Sequence, residues 1–312
     1  MITSVKSDTM QSEEISNYAQ KAMLNNPFEN FKIENYKYAQ LHKNISTNSK
    51  LENFKPNFSS INSFKNLKLT DSTNTDLMGG LNKWNYNNSD SYFRVNSISE
   101  RSSKKIDLDL YEDEIIYLDL LIFKENIQLL KATEQPKTLI INNSNFSDDC
   151  PRSIILNLSE NAKLNIIHYN ISNLKSFLYF EINQKDNSNV KFLSFQSNNV
   201  HTRNEFFASL EENCSIDLYG LNIHNYGVND NYSFIQHMKP FSQSREVFKS
   251  IIKNGAVTNF QGKIYVDSIA QKTDGYQMSR SLILDNVSKA NNKPELEIYA
   301  DDVKCSHGST VQ

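Results

Sequence analysis

Near the end of the sequence, Cys305 and His307 stand two residues apart behind Asp301 and Asp302, within "ADDVKCSHG". A thiolate and an imidazole are ligands that suit iron or zinc. In an extended strand side chains alternate, so Asp301, Val303, Cys305 and His307 share one face and Asp302, Lys304 and Ser306 the other. Cys-x-His then presents two metal ligands side by side, about 7 Å apart at Cα. A closed zinc site needs four ligands, and no second Cys/His pair at close spacing accompanies this one. Three readings stay open: a self-contained zinc site, a packed cysteine beside a surface histidine, or a partial site completed by another subunit. The paired aspartates suggest a different chemistry, two carboxylates flanking a glycosidic bond. Neighbours on a strand point to opposite faces, however, and cooperate only across a bulge.

The rest of the sequence adds few further candidates. His42, His168, His201, His224 and His237 show no close metal spacing. There is no Walker A run, no G-x-G-x-x-G and no G-x-S-x-G, so nucleotide binding and serine hydrolysis have no local support. A net charge of −3 with scattered Lys and Arg offers no basic field for nucleic acid or an anionic membrane. The start, "MITSVKSDTMQSEE", lacks the apolar run of a signal peptide, and no stretch approaches the ~20 apolar residues that span a bilayer. Cys150, Cys214 and Cys305 are odd in number and far apart, which disfavours a disulfide framework. These features predict a cytoplasmic protein.

The elements that must position Cys305 and His307 are strands. From about Lys105 the sequence runs in short segments rich in Ile, Leu and Phe, among them "KTLIIN", "SIILNLS", "KLNIIHYN", "VKFLSFQS", "SIDLYGLNI" and "LEIYA". They recur about 10–14 residues apart with little helical periodicity. That leaves a sandwich, a barrel or a solenoid. "LSENAKLNI" at Leu158 echoes "LEENCSIDL" at Leu210, as the stacked coils of a parallel β-helix would. Hairpin signals are scarce, "KNGAV" near Asn254 being the exception. Asn is abundant beside only 8 Gly and 6 Pro, and Asn best replaces Gly where a tight turn needs a left-handed backbone. Residues 1–95 read differently. "SEEISNYAQKAML" and "FKIENYKYAQLHKNI" suggest short helices, and residues 46–90 suggest irregular chain.

The last third carries an ordered series of motifs. It comprises His237, Pro240 and Ser244; then Phe260, Gly262, Ile264 and Val266; then Ala270-Gln271-Lys272-Thr273-Asp274 with Gln277. Pro294, Leu296, Glu297 and Ile298 follow, and Ala300 through Gly308 close it. This series closely resembles the SufB/SufD family of iron–sulfur cluster assembly proteins, and within it the SufD branch. Upstream, "LSENAKLNII" is family-like, and "IENYKYAQL" is similar to an early family motif, with Tyr36 where a Trp is usual.

The resemblance implies an all-β core, a right-handed parallel β-helix over residues 96–312, preceded by a helical and irregular segment over residues 1–95. It implies a non-catalytic scaffold that pairs through the β-helix with a SufB-like paralogue, each subunit engaging a SufC-type ABC ATPase. On this reading the chain itself binds no nucleotide, nucleic acid or membrane. Cys305 and His307 map to family positions at the subunit interface, where they would contribute to a transient iron or iron–sulfur cluster shared with the partner. Family members continue beyond this motif into a helical C-terminal domain that carries the ATPase-binding surface. The expectation is therefore a core incomplete at its C-terminus. Two other readings are a degenerate remnant that binds neither ATPase nor cluster, and a β-helix polysaccharide-active enzyme.

Overall fold

The computed structural model describes residues 70–72, 103–120, 126–144, 152–172, 174–198 and 200–312. Its strands in chain order are β1 (Thr70–Ser72), β2 (Ser103–Asp107), β3 (Ile115–Asp119), β4 (Asn126–Lys131), β5 (Lys137–Asn142) and β6 (Arg152–Leu158). Then come β7 (Lys163–Ser172), β8 (Ser176–Gln184), β9 (Asn189–Asn198), β10 (Thr202–Leu210), β11 (Ser215–His224) and β12 (Val228–His237). The last are β13 (Gln243–Ile252), β14 (Val257–Val266), β15 (Asp274–Ile283), β16 (Lys289–Ile298) and β17 (Lys304–Val311). One sheet runs β1-β2-β4-β6-β8-β10-β12-β14-β16 and the other β17-β15-β13-β11-β9-β7-β5-β3. β1 pairs antiparallel with β2, and the other pairings are parallel. The chain thus passes from one sheet to the other and back in each turn, which is a parallel β-solenoid.

Alternation along each strand builds the interior. Leu164, Val190 and Ile216 stack in register on β7, β9 and β11 and are all buried. The "LSENAKLNI" and "LEENCSIDL" echoes therefore lie two turns apart, with "QKDNSNVKF" between them. Phenylalanines fill the middle of the solenoid. Phe180 and Phe206 stack at 5.3 Å, and Phe192 meets both edge-on. Burying each contributes roughly 1.5–3 kcal/mol.

Asparagine does the work of glycine at one corner. Asn161, Asn187 and Asn213 have φ of 60°, 62° and 53°, and Phe241 and Lys272 occupy the same left-handed region in the next two turns. Each donates its backbone N–H to the following turn's corner: Asn161 to Asp186 O, Asn187 to Glu212 O, Asn213 to Pro240 O, Phe241 to Gln271 O and Lys272 to Asp302 O, over 2.6–3.1 Å. Asn213 Nδ2 also donates to Asn187 Oδ1 at 2.8 Å. A left-handed backbone costs an ordinary residue about 1–2 kcal/mol, and Asn bears it best among the side-chain-bearing residues.

Three expectations need correction. "KNGAV" is not a hairpin: Asn254 and Gly255, both at positive φ, turn the corner from β13 to β14, which belong to different sheets. Residues 46–90 are not wholly irregular, since Thr70–Ser72 is a strand. "LEIYADDVKCSH" is not one strand. β16 ends at Ile298, residues 299–303 turn the corner, and β17 begins at Lys304. The corner ladder breaks the strand, with Asp302 O accepting from Lys272 N and Asp302 N donating to Gln271 Oε1 at 2.9 Å. Asp301 therefore lies exposed in the corner, while Val303 still packs in the same apolar cluster as Cys305. The helices expected within residues 1–95 lie outside the described residues.

Candidate functional site

β17 pairs in register with β15, placing Cys305 beside Gly275 and His307 beside Gln277. Cys305 and His307 do share a face, and it is the face turned toward the solenoid's interior. Cys305 Sγ would lie 3.2 Å from a Cβ on Gly275, so the missing side chain makes room for the thiol. Ile264, Val266, Ala270, Ala300, Leu296 and Val303 form the apolar cluster around it. Cys305 is half-buried and His307 exposed. Burial pushes the Cys305 thiol up, the nearby Asp274 charge adds to this, and the Gly275 backbone draws it partway back. The thiol is therefore protonated at neutral pH and yields a thiolate when a cation displaces its proton.

Followed down the turns, both interior rows change character. One reads Ile116, Leu139, Ile166, Phe192 and Leu218, then Glu246, Gln277 and His307. Its neighbour reads Leu164, Val190 and Ile216, then Ser244, Gly275 and Cys305. Over the last three turns the large apolar side chains give way to polar or small residues, ending at the thiol and the imidazole. Glu246 is fully buried and accepts from Gln277 Nε2 at 3.2 Å. Burial raises its carboxyl to about 7, with Ser233 and Gln277 drawing it partway back. A Cβ on Gly262 would fall 2.3 Å from Gln277 Nε2, so the amide crosses space that only glycine leaves free.

His237 is a fully buried hub two turns back. Its Nδ1 is 2.6 Å from Ser242 Oγ and its Nε2 2.8 Å from Ser244 Oγ. Burial holds it neutral, down to about 3. Its work is to fix the corner before β13, and with it the Ser244 row that leads to Cys305. His168 is likewise buried, with Nδ1 3.0 Å from Ser194 Oγ, and His201 and His224 are buried too. These four are buried residues away from Cys305, and His42 lies outside the described residues. Asp301 is exposed, and Asp302 pairs with Lys272 across the corner. Asp302 thus serves the corner.

Among the described residues no three His, Cys, Asp or Glu side chains gather closely enough to hold a metal ion. Cys305 and His307 consequently supply two ligands at most, and any others must come from elsewhere. Glu246 had no signal in local spacing, and Gln277 had a motif but no role. Finding them requires the register, because the row that unites them is sampled once every turn. Among the described residues no helix is long and apolar enough to cross a membrane.

Comparison with known proteins bears on the same segment. The family description "SUF system FeS cluster assembly, SufBD core domain" matches residues 128–312, more than half of the chain. The iron–sulfur cluster assembly protein SufD of Escherichia coli is 43% identical over 82 residues, 26% of this chain and 19% of that protein. An iron–sulfur cluster assembly SufBD family protein of Synechocystis is 40% identical over 84 residues, 27% and 18% of the two chains. SufD of Plasmodium falciparum is 26% identical over 158 residues, 49% of this chain and 10% of the relative. The matches thus span less than a fifth of each relative.

Proposed function

Because the chain belongs to the SUF-system SufBD core family, we propose that it is a scaffold subunit for iron–sulfur cluster assembly, without turnover of its own. In this proposal it pairs with a SufB-like paralogue, and Cys305 and His307 hold iron or a nascent cluster as cargo between the two chains. Nucleotide hydrolysis belongs to a SufC-type ABC ATPase and not to this chain. The place of work is the cytoplasm.

The observation that carries the reading is the pairing of Cys305 and His307 on one face of β17, at the end of rows whose residues have turned polar or small. A half-buried thiol that stays protonated until a cation arrives suits transient holding, because binding is coupled to proton release and is reversible. An exposed imidazole two residues on adds a second ligand without closing the coordination sphere. Two ligands hold iron weakly, so the cargo can pass to a partner that completes the set. The carboxylate chemistry of a polysaccharide-active enzyme has no counterpart in the Asp301–Asp302 corner, where Asp302 is bound to Lys272 and to the ladder.

The test is anaerobic purification with the SufB-like partner. Cys305→Ala and His307→Ala should each lower the iron retained by the complex while leaving both chains folded. Full iron content in both variants would refute the ligand role.

A further inference from the structure

Gln277 sits in the same row as His307, one turn back, and its amide is only half used. Nε2 donates to Glu246 in the turn before, whereas the buried Oε1 has no hydrogen-bond partner among the described residues. Among the amides of this solenoid, Asn189 and Asn222 donate to serines of the following turn, whereas others donate backwards as Gln277 does. Asn183 Nδ2 reaches Asn157 Oδ1 at 3.0 Å, Asn213 reaches Asn187 at 2.8 Å and Asn291 reaches Asn259 at 2.8 Å. An amide that donates backwards can leave its carbonyl for the turn that follows. For Gln277 the register neighbour in that turn is His307.

We infer that Gln277 is a positioning residue for His307: its carbonyl accepts one imidazole N–H, and Glu246 anchors the amide that makes this possible. The inference rests on the reading of His307 as an iron ligand. One ring nitrogen is thereby fixed as the donor, and the lone pair of the other is aimed at the cargo. Ligating histidines are ordinarily held in this way by a carbonyl or carboxylate behind them, and loss of such a partner typically weakens metal binding about 10–100-fold. Gly262 gives the arrangement its room, because any larger side chain there would meet the Gln277 amide. A purely space-filling polar row predicts no influence of Gln277 on the imidazole.

The experiment is nitrogen-15 NMR of the full chain labelled at histidine, with the His307 resonances assigned by their loss in His307→Ala. Without metal, His307 should populate one neutral tautomer. Gln277→Leu should return it to the mixture of free imidazole. The exchange pair Glu246→Gln with Gln277→Glu should restore the single tautomer, because it keeps a donor at 246 and an acceptor at 277. In the complex with the SufB-like partner, Gln277→Leu should weaken ferrous iron binding about 10–100-fold. A mixed tautomer in the wild type, or one unchanged by Gln277→Leu, overturns the inference. If His307→Ala leaves iron binding intact while the tautomer responds to Gln277, the ligand reading fails and the hydrogen bond stands.

Discussion

Replacing Glu246 by glutamine keeps the shape of the side chain and removes its capacity to ionise. In the folded protein the carboxyl holds its proton up to about 7, against an ordinary value of 4.5. The native state therefore binds more protons than the unfolded chain between these values, and stability falls as pH rises through this window. The separation of about 2.5 pH units corresponds to roughly 3 kcal/mol, fully lost above about pH 7. Glutamine escapes this loss but gives up part of the hydrogen bonding with Gln277, on the order of 1 kcal/mol at all pH values. The variant should thus be slightly less stable than wild type at about pH 4.5 and clearly more stable at about pH 8. The buried histidines act in the opposite sense. His168 and His237 are held neutral down to about 3 and His201 to about 4, so stability falls as pH drops below their ordinary value of 6.5. That contribution is common to both proteins and cancels in the difference. Urea unfolding of both proteins across the range measures it. A difference that does not change with pH would refute the burial of an ionisable Glu246.

Other outcomes follow from the same geometry. Gly275→Ala places a methyl 3.2 Å from Cys305 Sγ; it should displace the thiol and lower iron retention at a stability cost of about 1–2 kcal/mol, read by metal analysis beside denaturation. His237→Phe leaves Ser242 and Ser244 without their shared partner inside the protein. It should cost roughly 2–4 kcal/mol, measured by denaturant midpoint. Asn187→Ala puts an intolerant residue at φ 62° and breaks a rung of the corner ladder. It should destabilise by about 1–2 kcal/mol, and Asn187→Gly should recover part of that.

Much of the fold was legible because a solenoid writes its period into the chain. The spacing of the aliphatic runs, the Leu158 and Leu210 echoes and the supply of Asn for left-handed corners all describe one turn repeated. The error at "LEIYADDVKCSH" has a physical cause. Alternation looks the same whether or not a strand bends, and the bend there is set by Lys272 and Gln271 in the preceding turn. "KNGAV" misled for a related reason, since a left-handed pair reverses a hairpin or turns a solenoid corner equally well. The spacing of Cys305 and His307 established that they share a face, but not which face. Their neighbours in space, Gly275 and Gln277, lie about thirty residues upstream. Glu246 was hidden more deeply, because a glutamate inside "SREVFKS" reads as a solvated charge until the register places it under Gln277.

The most direct test of the proposed function is iron K-edge absorption spectroscopy on the anaerobic, iron-loaded complex with the SufB-like partner. Wild type, Cys305→Ser and His307→Ala would be compared at equal protein concentration. The account predicts that the sulfur contribution falls in Cys305→Ser and the imidazole contribution falls in His307→Ala, each with reduced iron stoichiometry. Spectra and stoichiometry identical in all three proteins would contradict it.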